Sequence, residues 1–358
     1  MSVNEKKAAK IQQRKMRRLW RRRRFSFVMS LFFRLIAIVL IFAVVLVHRL
    51  FLGPSETVSN MLTMTLLETS ALKFVPRIFM RESEVEAIQQ ATLLIEPEEK
   101  VDTSLIKIEK YVHKPTATQS EADSLVEEEK DIEIIHVTGD TFKGQLMIVK
   151  DPSRVFLGVT NEYFNSVGRH LSYFCEKYNA VGGINASGFH DDNGMGNGGN
   201  PVGMVISEGK ILRGSDRQTT IAAFDENNIL HVGKFTDEEA KALKLRDGAG
   251  WGPALIVNGI PADTGTNKTG LNPRSAIGQR SDGAVLLLVI DGRHPNSLGA
   301  GYTDLIDVLM QYGAVNACNL DGGTSAIMYY EGQRITSIEN YDIARSIPTA
   351  FLVRQEGQ

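Results

Sequence analysis

With two cysteines in 358 residues the chain has no disulfide framework, and nothing in the spacing of Cys175 and Cys318 argues for a bridge between them. None of the seven histidines stands at zinc-ligand spacing from Cys or Glu. No glycine-rich stretch ends in Gly-Lys-Ser/Thr, which removes a P-loop, and no Gly-x-Ser-x-Gly elbow supports a serine hydrolase. Gly248-Ala249-Gly250-Trp251-Gly252-Pro253 starts like a dinucleotide fingerprint, but proline replaces the last glycine. Asp191-Asp192-Asn193-Gly194-Met195-Gly196 lacks the carboxylate spacing and the terminal Glu of a calcium loop. Neither a metal nor a cofactor is therefore expected. Internal repeats and heptad arrays are also missing.

The net charge of −2 conceals a strong asymmetry. Through Arg24 there are eleven Lys and Arg against one Glu, whereas residues 82–133 are rich in Asp and Glu. A basic arm suits nucleic acid, but this one leads directly into an apolar segment. Residues 25–47 are apolar except for Ser26, Ser30 and Arg34, enough to cross a bilayer as one helix. The basic flank then places the N-terminus in the cytoplasm and the larger C-terminal part outside, as a single-pass protein of the cell membrane. A cleavable signal peptide is the alternative, although the apolar run is not succeeded by a clear small-x-small site. Nucleic acid is not an expected partner. The resulting plan is a basic tail at 1–24, an anchor at 25–47, a membrane-proximal helix and acidic linker at 48–133, and a globular domain at 134–358.

Within that domain, strand-like runs are expected at 144–150, 154–160, 180–186, 220–224, 229–232, 254–257, 284–291 and 348–353, with a hairpin about Glu208-Gly209. Helices are predicted at 166–178 and 303–313, the second capped by Thr303 and ended by Gly313. Many strands and few, irregularly placed helices predict an α+β domain with a mixed, mostly antiparallel sheet.

Polar and glycine residues gather at three apolar strand ends: Asn185 to Asn200, Asp291-Gly292-Arg293-His294, and Asn319 to Ser325. Asp321 ends the apolar run Ala314 to Leu320, and Gly322 and Gly323 come next, so a carboxylate can be held rigidly beside a ligand. An ordinary Asp-Gly hairpin is the plain alternative. Paired carboxylates, Asp291 and Asp321, suit glycosidic cleavage, while Arg274, Arg293 and glycine-rich backbone suit a phosphate. For both arginines the competing reading is a salt bridge to those same aspartates.

Asn185-Ala186-Ser187-Gly188-Phe189, Pro201-Val202-Gly203, Gly250-Trp251-Gly252-Pro253, Pro273-Arg274-Ser275-Ala276-Ile277-Gly278, Asp291-Gly292-Arg293 and Asn319-Leu320-Asp321-Gly322-Gly323 occur in that order. In this series the chain resembles the phosphodiester glycosidase family over about residues 134–355. The resemblance implies hydrolysis of the bond between a sugar anomeric carbon and a phosphate. It places Asp321, Asp291 and Arg274 as catalytic candidates, and Asn185, Ser187, Phe189, Arg293, Asn319, Gly322, Gly323 and Thr324 as substrate contacts. His190 stands where the family often has a second aromatic, and Thr324 takes the third place of a Gly-Gly-Gly variant, which bears on sugar specificity. The expected substrate is a sugar-phosphate or glycan of the envelope, including exopolysaccharide. A non-catalytic glycan-binding or polysaccharide-assembly module, and a variant that transfers the glycosyl group, are the alternatives.

Overall fold

Val285–Ile290 has no polar side chain, a pattern suited only to a strand covered on both faces. It lies inside a seven-stranded sheet in the order Ile132–Thr138, Lys143–Val149, Val285–Ile290, Arg274–Arg280, Ala314–Leu320, Ala254–Val257 and Ile260–Pro261. A second sheet runs Gln333–Arg334, Met328–Tyr330, Ala180–Asn185, Thr349–Arg354 and Val155–Val159. The third runs Lys210–Arg213, Val205–Ser207, Leu245–Gly250, Thr219–Asp225 and Leu230–Phe235. Every pairing among them is antiparallel. This computed structural model describes residues 3–69, 71–108, 131–161, 164, 166–191, 195–214, 217–265, 270–336 and 345–357.

One apolar core is shared by all three sheets, with Met147, Ile184, Phe224, Leu287, Cys318 and Phe351 among its buried members. Against the large sheet sits the helix Tyr302–Gln311, whose Leu305, Ile306 and Leu309 share a buried cluster with Leu255, Ile256 and Ala317. The Asp304 carboxylate accepts the Gly301 N–H at 2.8 Å, so the helix is capped by Gly301 rather than Thr303. The helix expected at 166–178 is confined to Leu171–Lys177, because Gly168 and Arg169 are drawn into backbone bonds with Asn197 and Ile347. Leu245–Gly250 had no strand-like signal: Gly248 fits against Ala223 and Gly250 against the Gly203–Met204 backbone, where a side chain would collide.

The chain forms two units, Met1–Ser59 and Asn60–Gln358. In the first, the helix Val3–Leu52 is long and apolar enough to cross a membrane between Lys15 and Leu52, the property of a span or of a signal sequence. The second starts far earlier than the expected boundary at Ile134. Residues 83–108, whose composition reads as linker, are attached to the domain: Ile95 and Asp263 exchange backbone hydrogen bonds, and Lys107 donates to Ser281 O at 2.7 Å. The Glu96 carboxylate accepts from Thr220 Oγ1 and Ala254 N. Acidic composition missed this because the bonds run through backbone and a few well-placed side chains, not through apolar bulk. At about 1 kcal/mol for each such bond, a fragment starting at Ile134 is expected to melt roughly 10 °C below one starting at Asn60 in a thermal-denaturation comparison.

Candidate active site

The helix Tyr302–Gln311 exits through Gly313, at φ 82°, and delivers the chain into the strand Ala314–Leu320. Asp321 is the residue after that strand. Its neighbour Arg274–Arg280 pairs with Ser275 opposite Leu320, and next in order Val285–Ile290 pairs with Ile290 opposite Arg274. The register therefore puts Arg274, Asp291 and Asp321 at one edge of the sheet. No hairpin succeeds Asp321: a single helical turn, Gly323–Ser325, carries the chain to Met328–Tyr330 in the second sheet.

Asn185 fixes this junction from below. It is fully buried, its Oδ1 accepts from Ser275 Oγ at 2.7 Å and from Ile327 N at 3.2 Å, and its Nδ2 donates to Asp321 O at 2.6 Å. Ser187 is also buried, bonded to Thr349 through its own N–H and Oγ. Neither lines the cavity above them, so the two expected contacts are supports instead. Gly322 is required by packing, since a Cβ there would stand 2.7 Å from Pro273 O.

That cavity has a volume of about 490 Å³, within the range of small-molecule sites. Asp321, Arg274, Phe189, Arg293, Asn319, Gly322, Gly323 and Thr324 all line it. Asp291 does not. Its N–H donates to Lys143 O and its carbonyl accepts from Ser297 Oγ, which turns the loop back on the sheet edge. The carboxylates that do reach the cavity besides Asp321 are Glu68 and Asp191.

Asp321 keeps part of its surface on the cavity while protein packs around the rest. That loss of solvent pushes its carboxyl up to about 7, against the downward pull of Ser325, Arg345 and the Gly322 N–H. Arg345 is itself paired with Asp191 and donates to Thr324 Oγ1 at 3.0 Å, with its guanidinium 4.8 Å from the Phe189 ring centre. Asp191 thus serves Arg345 and the Gly196 N–H. Arg274 pairs with neither aspartate of the sequence reading: it donates to Glu68 Oε2 at 2.6 Å, to Gly270 O and to Ala300 O, and lies 4.4 Å from the Tyr302 ring centre. Arg293 donates to Asn272 Oδ1 at 2.9 Å and to Thr69 Oγ1 at 3.3 Å. Asn319 is clasped by the Gly252-Pro253 backbone, and its Oδ1 is buried without a hydrogen-bond partner among the described residues.

A family model described as phosphodiester glycosidase matches residues 178–354, which hold all of these strand ends. Over that segment the chain belongs to the phosphodiester glycosidase family. The SPbeta prophage-derived uncharacterized protein YomE of Bacillus subtilis (strain 168) is 29% identical over 193 residues, covering 51% of this chain and 29% of its own length. The chain therefore spans less than a third of that relative. Among solved structures, the zebrafish N-acetylglucosamine-1-phosphodiester alpha-N-acetylglucosaminidase catalytic domain, auto-inhibited by pro-peptide, aligns with a TM-score of 0.53 at 17% identity, over 74% of this chain and 96% of that one. That likeness is one of fold. In this phosphodiester glycosidase domain the residues missed by sequence reasoning are of two kinds. Asn272 and Trp251 flank or sit in motifs already visible, and Arg345 precedes the last strand. Glu68 and Thr69 carried no signal, being about two hundred positions from Arg274.

Gly188 marks how closely the cavity wall is built. A Cβ there would stand 1.9 Å from the Trp251 ring, and Trp251 is 40% exposed. Gly188→Ala is expected to displace the indole, seen as a change in Trp251 fluorescence and a several-fold rise in KM with the fold intact.

Proposed function

We propose that this chain hydrolyses the bond between a sugar's anomeric carbon and the phosphate of a sugar-1-phosphate diester, acting outside the cell on envelope or extracellular glycans while held by its N-terminal helix. The observation that carries the reading is Asp321, on the floor of a cavity whose wall holds Arg274, Arg293 and Arg345. A phosphodiester is a good leaving group, so its departure calls for charge stabilisation more than for a strong acid. Arg293, held on the cavity wall by Asn272 and Thr69, is placed to serve that task, whereas Arg274 is bound to Glu68. Asp321 then acts at the anomeric carbon, as nucleophile or as base for water. The exposed apolar side chains of the N-terminal helix and its basic flank support an anchor with the tail in the cytoplasm.

Incubating the full-length protein with a GlcNAc-1-phosphodiester and a panel of other sugar-phosphate diesters tests the reading. Release of free sugar and phosphomonoester is the expected result, and product analysis with an added acceptor separates hydrolysis from transfer. No turnover across the panel would count against it.

A further inference from the structure

Glu68 is the residue after the helix Glu56–Leu67 and stands well ahead of the segment that the family model matches, yet it lines the cavity. One of its oxygens is committed. Oε2 accepts from Arg274 Nη2 at 2.6 Å and from Asn272 Nδ2 at 2.8 Å. Oε1 has no hydrogen-bond donor among the described residues, and the side chain retains 23% of its surface. The same Asn272 amide accepts from Arg293 through its Oδ1 at 2.9 Å. A single amide thus separates an anion from a cation along one wall. The backbone supports this placement: Thr65 Oγ1 accepts the Leu271 N–H at 2.9 Å, and Gly270 fits against the Met64–Thr65 peptide, where a Cβ would stand 2.4 Å from Thr65 N.

We propose that Glu68 is a specificity-determining substrate contact, accepting a sugar hydroxyl at Oε1, and that the substrate lies across Asn272 with its sugar at Glu68 and its phosphate towards Arg293. The inference rests on the hydrolase reading above and adds a residue from outside the family-matching segment. A carboxylate oxygen repels a phosphate and accepts readily from a hydroxyl, so the sign of the charge orders the two halves of the ligand. Oε2 being held by two donors keeps Oε1 in one position, the condition for discriminating one hydroxyl arrangement from another. Losing one charge-assisted hydrogen bond of this kind weakens binding roughly tenfold to a hundredfold.

The test uses full-length Glu68→Gln, inorganic phosphate, a panel of methyl glycosides and the GlcNAc-1-phosphodiester. Expected are a tenfold or larger loss of affinity for the best-bound glycoside, a rise in KM of similar size with a smaller change in kcat, and phosphate affinity unchanged or tighter. Parallel loss of glycoside and phosphate binding would reduce Glu68 to a counter-ion for Arg274. Unchanged glycoside binding, no glycoside binding by the native protein, or faster turnover without the carboxylate would each overturn the proposal. If Glu68→Gln does not fold, Glu68→Asp keeps the charge beside Arg274 while drawing Oε1 out of the cavity, and the same comparison applies. Glycoside binding that depends on Glu68 without any diester turnover would sink the hydrolase reading and leave the sugar contact standing.

Discussion

Asp321→Asn is expected to lower kcat for a sugar-1-phosphate diester by on the order of 10³-fold or more, while ligand binding persists. The side chain keeps its shape and loses only the negative oxygen that the proposed mechanism assigns to the anomeric carbon. A binding module would show no turnover before or after the change, so single-turnover kinetics with a parallel binding measurement decides between the two classes. The pH profile supplies a second check. Burial pushes the Asp321 carboxyl up to about 7, and a nucleophile or base must be ionised, so kcat/KM should climb as pH rises through that value. A falling limb there would instead assign Asp321 the role of proton donor.

The same burial acts on stability in the opposite sense. Unfolded, Asp321 releases its proton near pH 4 (about 3.9); folded, it holds the proton to about 7. The folded state therefore binds more protons across that window, and this group's contribution to stability falls as pH rises through it. Asp321→Asn removes the charge that causes the loss. The variant should melt several degrees higher than the native protein at pH 8 and close to it at pH 4. Equal melting shifts at both values would contradict the account.

Arg274→Ala is expected to have the largest structural effect of any single change at the site. Arg274 is buried, and it neutralises Glu68 while donating to two backbone carbonyls, Gly270 O and Ala300 O. Removing it strands a carboxylate and two acceptors, and breaking a buried pair from one side costs about 3–5 kcal/mol. Because the paired change replaces both charges, Glu68→Gln with Arg274→Met should recover the part of that loss due to the stranded carboxylate, leaving the cost of the two carbonyls. Equilibrium denaturation of the four proteins in a double-mutant cycle measures this directly. Arg274→Lys should remain partly destabilised, since an ammonium has no planar fork to reach Glu68, Gly270 and Ala300 together.

Much of the site was legible because its residues mark strand ends. Asp321 follows one strand, Arg274 opens another and Arg293 comes three residues after a third, and antiparallel register brings such ends together. Asn185 was legible as a site residue but not in its role: only the folded chain reveals that its amide is spent on Ser275, Ile327 and the Asp321 carbonyl beneath the cavity. For Asp291 the expectation failed. Strand position alone leaves open which way the chain turns afterwards, and here Ser297 and Lys143 take its backbone away from the cavity.

By itself the sequence determined what local pattern can encode: an apolar segment of membrane-spanning length, an antiparallel α+β domain, and a buried strand ending in Asp-Gly-Gly. Tertiary structure alone decided which carboxylates share the cavity. Glu68 meets Arg274 through a contact across about two hundred residues, and Asp191 meets Arg345 across more than one hundred and fifty. Periodicity and turn chemistry report on neighbours along the chain. Pairings at that separation depend on how the sheets and the segments around them pack, which no local window contains.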